Sequence, residues 1–167
     1  MTIIPLLAVI ALASPAGADG VSLAGDWQVR VGADVLTVDG PETRRVTNER
    51  IDRLPLYNPK AAQYARGAKL AGVRAQECTA RHALDPDSLV LRAAPDGAPL
   101  VRGNDYEAEL TWGCVGRLDG GAIPPNGTVY ASYAYDTLRL DSIVRTAAGA
   151  VELRKGQPHV ANPEPPA

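Results

Sequence analysis

The sequence predicts a mainly β fold, a single antiparallel domain that resembles a β-sandwich. Apolar and polar residues alternate in several short runs, most clearly in Thr128–Tyr135 (TVYASYAY), and a period of two is the one that a half-buried strand requires. The 16 glycines and 14 prolines separate these runs at the short intervals typical of all-β domains. Strands and turns are therefore the elements we expect.

The first predicted pair of strands forms a hairpin near the start of the domain. Trp27–Val31 and Val35–Val38 flank a turn that contains Gly32, and Glu42–Val46 follows as another strand. Glycine suits such a turn because it accepts a positive φ without a steric penalty.

One segment departs from the strand pattern. Asn58–Leu70 (NPKAAQYARGAKL) has a proline near its start and several alanines, but Gly67 interrupts the alanine-rich run. A short helix near residues 59–70 and an irregular loop therefore both stay open.

The stretch Arg102–Leu118 (RGNDYEAELTWGCVGRL) combines acidic, aromatic and cysteine residues. As a strand it presents two faces. One face carries Asp105, Glu107, Glu109 and Thr111, and the other carries Tyr106, Ala108, Leu110 and Trp112. We expect a solvated acidic face over a packed apolar one, a bend at Trp112-Gly113-Cys114, and a second strand over Val115–Leu118.

The remaining strands and the ends of the chain complete the organisation. The further predicted strands are Ser88–Ala93, Thr128–Tyr135, Leu138–Ile143 and Val151–Arg154. Residues 1–18 are predicted to be a signal peptide, residues 19–155 the β-sandwich-like domain, and residues 156–167 (GQPHVANPEPPA) a proline-rich tail or linker.

The N-terminus indicates export. Ile3–Ala13 is an apolar run too short to span a bilayer, and Ala16-Gly17-Ala18 fits the small-residue pattern before a signal-peptidase site. We expect cleavage after Ala18, a secreted or periplasmic protein, and no membrane association after cleavage. An uncleaved anchor is the alternative, since this N-terminal region lacks Lys and Arg.

The net charge and the cysteine content indicate which partners and which covalent cross-links to expect. The formal net charge of −2 argues against a nucleic-acid partner, which requires a clustered basic excess. Cys78 and Cys114 are the two cysteines, and an oxidising compartment favours a disulfide between them. Two buried free thiols are the alternative. His82 and His159 do not stand at the spacing from these cysteines that a zinc site requires.

Residues that could support catalysis lack the required arrangement. Glu107 and Glu109 would lie about 7 Å apart, as in an inverting glycosidase, but neighbours on one strand do not flank a cleft. No serine of the mature chain stands in a nucleophile motif (Ser22, Ser88, Ser132, Ser142). Asp85 and Asp87 beside a proline favour a turn over a Ca²⁺ site. We predict no catalytic residue, no metal and no cofactor.

Four aromatic residues are candidates for a ligand platform. They are Tyr130, Tyr133, Tyr135 and Trp112. Aromatic rings at strand spacing can stack on sugars, and they can equally pack in a core or on a sheet. The sequence leaves both interpretations open.

Four motifs follow one another after Leu84. They are G-x-D-Y at Gly103–Tyr106, W-G-x-x-G-R at Trp112–Arg117, V-Y-x-x-Y-x-Y at Val129–Tyr135 and R-L-D-S-I-V at Arg139–Val144. In this order, and with a proline-rich exit, they resemble the β-rich N-terminal module of secreted bacterial SGNH/GDSL-type hydrolases. The nucleophile block of that family would lie beyond Ala167, so the resemblance assigns no catalytic residue.

The resemblance implies a secreted, non-catalytic accessory module of an SGNH/GDSL-type esterase system, which positions substrate and binds carbohydrate. The partners it implies are an SGNH-type catalytic domain or an extracellular glycan. One alternative is a cell-surface structural or assembly protein that pairs through sheet edges. Another is a fragment of an SGNH hydrolase whose full-length parent has esterase activity.

Overall fold

The computed structural model describes residues 20–40, 42–74 and 81–167. The strands of this part of the chain are β1 (Val21–Gly25), β2 (Gln28–Val31), β3 (Asp34–Thr37), β4 (Glu42–Ile51), β5 (Ala68–Lys69), β6 (Val90–Arg92), β7 (Tyr106–Glu109), β8 (Cys114–Arg117), β9 (Val129–Thr137), β10 (Ser142–Arg145) and β11 (Val151–Arg154). Short 3₁₀ helices cover Gln63–Ala65, Ala71–Val73 and Pro86–Ser88. These elements confirm the predicted mainly β, antiparallel fold class.

The chain divides into two compact units. Of the described residues, the first contains 20–40 and Ile143–Leu153, and the second contains those of 42–142 and Arg154–Ala167. The predicted signal peptide, residues 1–18, lies outside the described residues, and export stays a prediction. Among the helices that the structure describes, none has the length and apolar character needed to cross a bilayer.

The first unit contains the predicted early hairpin. Strands β1, β2 and β3 form one antiparallel sheet in which Val31 pairs with Asp34 across the turn. Gly32 has a φ of 61° there, the left-handed conformation that glycine adopts without strain. The small core of this unit consists of Val29, Val31 and Val38 with Leu36, Ile143, Val151 and Leu153 packed against it.

The second unit is sandwich-like because two antiparallel sheets contribute to one core. One sheet has the strand order β4-β9-β6 and the other has the order β5-β8-β7. The buried residues that these strands contribute are Leu91, Val129, Ala131 and Tyr133 from the first sheet, and Tyr106, Ala108 and Val115 from the second. Each fully buried Val or Leu here stabilises the fold by roughly 1.5–3 kcal/mol relative to an exposed one.

The acidic face predicted around β7 is solvated only in part: Glu107 is half-exposed, but the prediction is wrong for Asp105 and Glu109. Asp105 and Glu109 are only 6% and 7% exposed. Asp105 accepts hydrogen bonds from the backbone N–H groups of Val101 (2.7 Å) and Ala122 (3.0 Å), and Glu109 accepts one from the N–H of Trp112 (2.8 Å). The bonds from Val101 and Ala122 hold the pKa of Asp105 below its ordinary value. These carboxylates fix loops around the β7–β8 hairpin.

The segment that allowed either a helix or a loop contains a single 3₁₀ turn, Gln63–Ala65, followed by β5. Ala68 and Lys69 pair with Val115 and Cys114 of β8. A Cβ on Gly67 would lie 2.2 Å from the carbonyl oxygen of Val115, so this close approach requires glycine. Pairing with β8 therefore replaces the helix that the alanines favour.

The proline-rich end of the chain is docked on the second unit. Leu138 and His159 exchange backbone hydrogen bonds of 2.8 and 2.9 Å, and Val160 is part of the core. Because Leu138 pairs with the tail, the strand predicted over Leu138–Ile143 begins only at Ser142. Of the two alternatives for residues 156–167, these contacts favour a docked tail over a linker.

Candidate ligand-binding site

The four aromatic residues proposed as a platform lie in three different environments. Tyr133 is 3% exposed and belongs to the core, and the half-buried Tyr135 packs against that core with its ring centroid 6.2 Å from that of Tyr133. Tyr130 projects from the opposite face of β9, as strand alternation requires. Trp112 lies in the loop between β7 and β8. The core-packing interpretation therefore holds for Tyr133.

The hydroxyl of Tyr133 anchors a turn to the sheet. It donates to Glu49 Oε2 (2.5 Å) and accepts from the N–H of Gly72 (2.8 Å). Glu49 in turn accepts from the N–H of Ala71 (3.0 Å). Burial and the hydrogen bond to Glu49 raise the pKa of Tyr133 far above its ordinary value. The Tyr133 hydroxyl and the Glu49 carboxylate are therefore both hydrogen-bonded within the fold.

The indole of Trp112 is also occupied. Tyr64 meets it edge-on with ring centroids 6.2 Å apart, and the Lys69 ammonium and the Arg81 guanidinium each lie 5.6 Å from a Trp112 ring centroid. The indole N–H donates to Gln63 Oε1 (3.4 Å). Two cations against one indole form a cation–π cluster. Little of the ring surface is then available for a sugar to stack on.

Cys114 is a buried free thiol in the structure. Its Sγ donates to the carbonyl of Tyr64 (3.3 Å). Burial raises the pKa of Cys114, although the nearby Lys69 opposes that shift, so the unreactive protonated form dominates at neutral pH. Cys78 lies outside the described residues, and the disulfide between the two stays a prediction.

In the part of the chain that the structure describes, Ser88, His159 and Asp85 hydrogen-bond to nearby backbone groups and do not form a triad with one another. Ser88 accepts from the N–H of Ala134 (2.7 Å), and His159 Nδ1 accepts from the N–H of Asn162 (2.8 Å). Asp85 accepts from the N–H of Asp87 (3.2 Å) and caps a 3₁₀ helix, which is the turn expected of these two residues. Across residues 20–40, 42–74 and 81–167, no three His, Cys, Asp or Glu side chains come together to hold a metal.

The outer face of the β4-β9-β6 sheet is where polar side chains remain available. Tyr130, half-buried, pairs with Arg50 of β4 on one side and with Arg92 of β6 on the other. Since neighbouring strands are about 4.8 Å apart, a guanidinium-bearing residue stands one strand away from the ring on each side.

A shallow depression of about 540 Å³ lies on this face. Tyr130 does not line it but is a neighbour of two residues that do, Arg92 directly across on β6 and Ser132 two positions along β9. It is lined by Thr47, Asn48, Ser132, Arg92, Pro95, Asp96, Gly97 and Pro99. Hydroxyl, amide, carboxylate and guanidinium groups therefore meet in one open surface site. Of these residues, only Ser132 was considered from the sequence, as a serine outside any nucleophile motif.

A β-bulge creates the floor of the depression. The register between β4 and β9 shifts between Val46 and Glu49, and Asn48 there has a φ of 55°, a conformation that few residues other than Gly, Asn and Asp adopt. The N–H of Asn48 donates to Ser132 Oγ (3.1 Å), which donates back to Asn48 Oδ1 (3.4 Å). Bulges often re-aim side chains at functional sites, and this one turns Asn48 towards the depression.

The cations of this face differ in how they are paired. Arg50 forms an exposed ion pair with Asp52 (3.0 Å). Arg92 has no carboxylate within 4.0 Å among the described residues, although Asp96 also lines the depression. Arg45 pairs with Ala134 in the register of β9 and is exposed, so it stands on the same face further along the strand.

Comparison with protein-family models, with curated proteins and with solved structures finds no match.

Proposed function

We propose that the protein is an exported, non-catalytic binding module that holds a glycan on the outer face of its β4-β9-β6 sheet. The observation that supports this function is that Tyr130 stands on the same sheet face as Arg92 and Ser132, which line an open, polar depression. A tyrosine ring offers an apolar surface to the C–H face of a sugar. The Asn48 amide and the Ser132 hydroxyl hydrogen-bond each other, but the Asn48 side chain still has its N–H donors for sugar hydroxyls.

The shape of the site favours a polymer over a small molecule. Pockets for small molecules are concave and bury most of the ligand, whereas this depression is wide and shallow. A chain of sugars can cross such a surface and continue in both directions. The site therefore suits a module that holds a polysaccharide while another protein acts on it.

The class of enzyme that the module serves is proposed from the sequence motifs alone. Their resemblance to modules of SGNH/GDSL-type hydrolases suggests an esterase partner that acts on an acylated extracellular glycan. In this proposal the module supplies substrate binding and the partner supplies the nucleophile.

Assembly through sheet edges is less well supported. Strand β4 is the long edge of its sheet, but it carries exposed charges and the bulge at Asn48. Charged side chains and bulges are features by which natural proteins prevent edge-to-edge pairing. Strand β4 is therefore poorly suited to edge-to-edge pairing.

Affinity electrophoresis tests the proposal. The purified protein is run through native gels that contain dextran, galactomannan or polygalacturonate, and we expect at least one polysaccharide to retard it. Tyr130→Ala should abolish the retardation. Tyr64→Ala, which removes an exposed ring elsewhere on the same unit (64% exposed), is the matched control and should keep it.

Two results would contradict the proposal. Equal retardation of both variants would show that Tyr130 is not part of the site, and no retardation in any gel would remove glycan binding altogether. Hydrolysis of a chromogenic acetyl ester by the purified chain would disprove the non-catalytic assignment.

A further inference from the structure

The outer face of the β4-β9-β6 sheet has a charge pattern that a neutral ligand would not need. Arg50 and Arg92 stand on the two strands that flank Tyr130, and Arg45 stands further along the same face. The protein as a whole has a formal net charge of −2, so the arginines on this face are not the local share of a basic protein.

We propose that this face selects an anionic glycan, one whose sugars carry carboxylate or sulfate groups. The inference rests on the proposed glycan-binding function and specifies its ligand class. A sugar that stacks on Tyr130 has a guanidinium-bearing residue one strand spacing away on either side, about 4.8 Å between backbones. Arginine presents a planar fork of N–H donors that matches two oxygens of a carboxylate or sulfate at once.

Arg92 is the residue on which this selection depends most. It lines the depression, and no carboxylate of the described residues lies within 4.0 Å of its guanidinium. Its β-bridge partner Pro99 supplies no charge. An anion bound beside Ser132 would therefore give Arg92 a partner that the protein itself does not provide.

Arg50 can turn to a bound ligand with little loss of folding stability. Its ion pair with Asp52 is exposed, with 63% and 57% of the two side chains accessible, and exposed pairs of this kind contribute little to stability. Asp52 also accepts a hydrogen bond from Thr128 Oγ1 (2.8 Å), so it keeps a partner if Arg50 turns to a ligand.

The acidic groups near the face set the limits of the selection. Asp96 lines the depression and opposes an anion there. Asp136, which lies near the other end of β9, accepts from Thr43 Oγ1 (2.6 Å). Asp52 is paired with Arg50, and the formal charges of Arg92 and Asp96 in the depression cancel. The selection therefore rests on the geometry of the Arg92 guanidinium, which has no carboxylate within 4.0 Å among the described residues, and not on a net positive charge.

A pair of polymers with one backbone tests the inference. Polygalacturonate carries a carboxylate on every sugar, and its fully methyl-esterified form has the same backbone without the charge. We expect polygalacturonate to bind and the methyl ester to bind at least tenfold more weakly, as measured by affinity electrophoresis over a range of polymer concentrations. Dextran sulfate against dextran forms the second arm, which distinguishes sulfate from carboxylate.

Matched arginine variants separate the site from general charge. Arg92→Gln should weaken binding of polygalacturonate or dextran sulfate about tenfold, the size expected for loss of a charge-assisted hydrogen bond. Arg30→Gln removes the same charge from an exposed position on β2 of the other unit and should change binding less than twofold. Far-UV circular dichroism checks that both variants are folded.

Each outcome decides the question. Binding to either anionic polymer that exceeds binding to its neutral partner, and that Arg92→Gln but not Arg30→Gln weakens, supports the inference. If the neutral polymers bind as tightly as the anionic ones, the inference fails while glycan binding stands. If both arginine variants lose the same affinity, the attraction is general charge and the inference fails. If no polymer binds, both proposals fail.

Discussion

Replacing Tyr133 by Phe tests the network that attaches the Ala71–Val73 turn to the β4-β9-β6 sheet. The substitution removes one oxygen and leaves the buried ring in place. The loss of this hydroxyl oxygen removes two hydrogen bonds: the one that Tyr133 donates to the Glu49 carboxylate (2.5 Å) and the one that it accepts from the N–H of Gly72 (2.8 Å). Gly72 then faces an apolar ring edge with its N–H unpaired, whereas Glu49 still accepts from Ala71.

The expected loss of stability follows from these contacts. A hydrogen bond to a charged group contributes roughly 1.5–3 kcal/mol, and an unsatisfied buried N–H costs a comparable amount. Because Glu49 keeps one partner, we expect a total near the lower end, about 2–3 kcal/mol. For a chain of 167 residues this corresponds to a decrease in Tm of roughly 4–12 °C.

Thermal unfolding followed by fluorescence measures this loss in the unit concerned. In a Trp27→Phe background the sole remaining indole is Trp112, which belongs to the second unit. Tyr135→Phe is the matched control, because the Tyr135 hydroxyl has no hydrogen bond within the described residues, and it should change stability by less than about 0.5 kcal/mol. Equal Tm values for Tyr133→Phe and Tyr135→Phe would refute the reasoning.

Three further measurements probe other parts of the structure. The pKa values of Asp105 and Asp141 lie below their ordinary values in the folded state. These carboxylates therefore stabilise the fold above their unfolded pKa of about 4, and this contribution disappears as the pH falls through the folded pKa values. Tm should be nearly constant from pH 7 to 5 and decrease below pH 4, and a constant Tm down to pH 2 would contradict the assignment. Asp96→Asn should strengthen binding of polygalacturonate two- to fivefold by removing a negative charge from the depression, and weaker binding would show that Asp96 contacts the ligand favourably. Intact mass of the chain produced in an oxidising compartment tests the predicted disulfide between Cys78 and Cys114, which would appear as the loss of a pair of hydrogens. If the mass is that of the reduced chain, the disulfide prediction fails, and Cys114 should resist alkylation until the protein unfolds, because its thiol is buried.

The strands that local alternation specifies were predictable from the sequence. The run TVYASYAY predicted a strand over Thr128–Tyr135, and β9 extends from Val129 to Thr137 with Val129, Ala131 and Tyr133 buried. The pattern is informative because a strand with one packed face repeats every two residues whatever its partners are. The early hairpin was predictable for the same reason, since its turn joins neighbours in sequence.

Features that depend on distant pairing were not predictable. The bulge at Asn48 exists only because β4 pairs with β9, whose residues are some 80 positions away, and a single sequence gives no sign of that partner. The strand predicted over Leu138–Ile143 is interrupted because Leu138 pairs with the tail instead. Local patterns specify how a segment can fold, and long-range pairing selects among those possibilities.

The buried acids of the β7–β8 hairpin show a second limit of sequence reasoning. Charged residues are usually exposed, so alternating acids predicted a solvated face. In the structure, the backbone N–H groups of surrounding loops need acceptors, and Asp105 and Glu109 supply them at the cost of burial. A carboxylate beside several unpaired backbone donors is stabilised as an anion, and such donors are recognisable only once the loops are placed.

The candidate site differs from the rest of the second unit in how its polar side chains are paired. Tyr133 and Trp112 hydrogen-bond within the fold, and Asp105 and Glu109 bind backbone groups. On the outer face of the β4-β9-β6 sheet the balance is different: the Tyr130 hydroxyl and the Arg92 guanidinium have no such partners among the described residues. A fold satisfies the polar groups on which its stability depends, so aromatic and cationic groups that it leaves unsatisfied at an open depression are those that remain free to bind a ligand. That difference separates Tyr130 from Tyr133 and Trp112, whereas Tyr135, whose hydroxyl is also unpaired among the described residues, packs against the core instead of facing the depression.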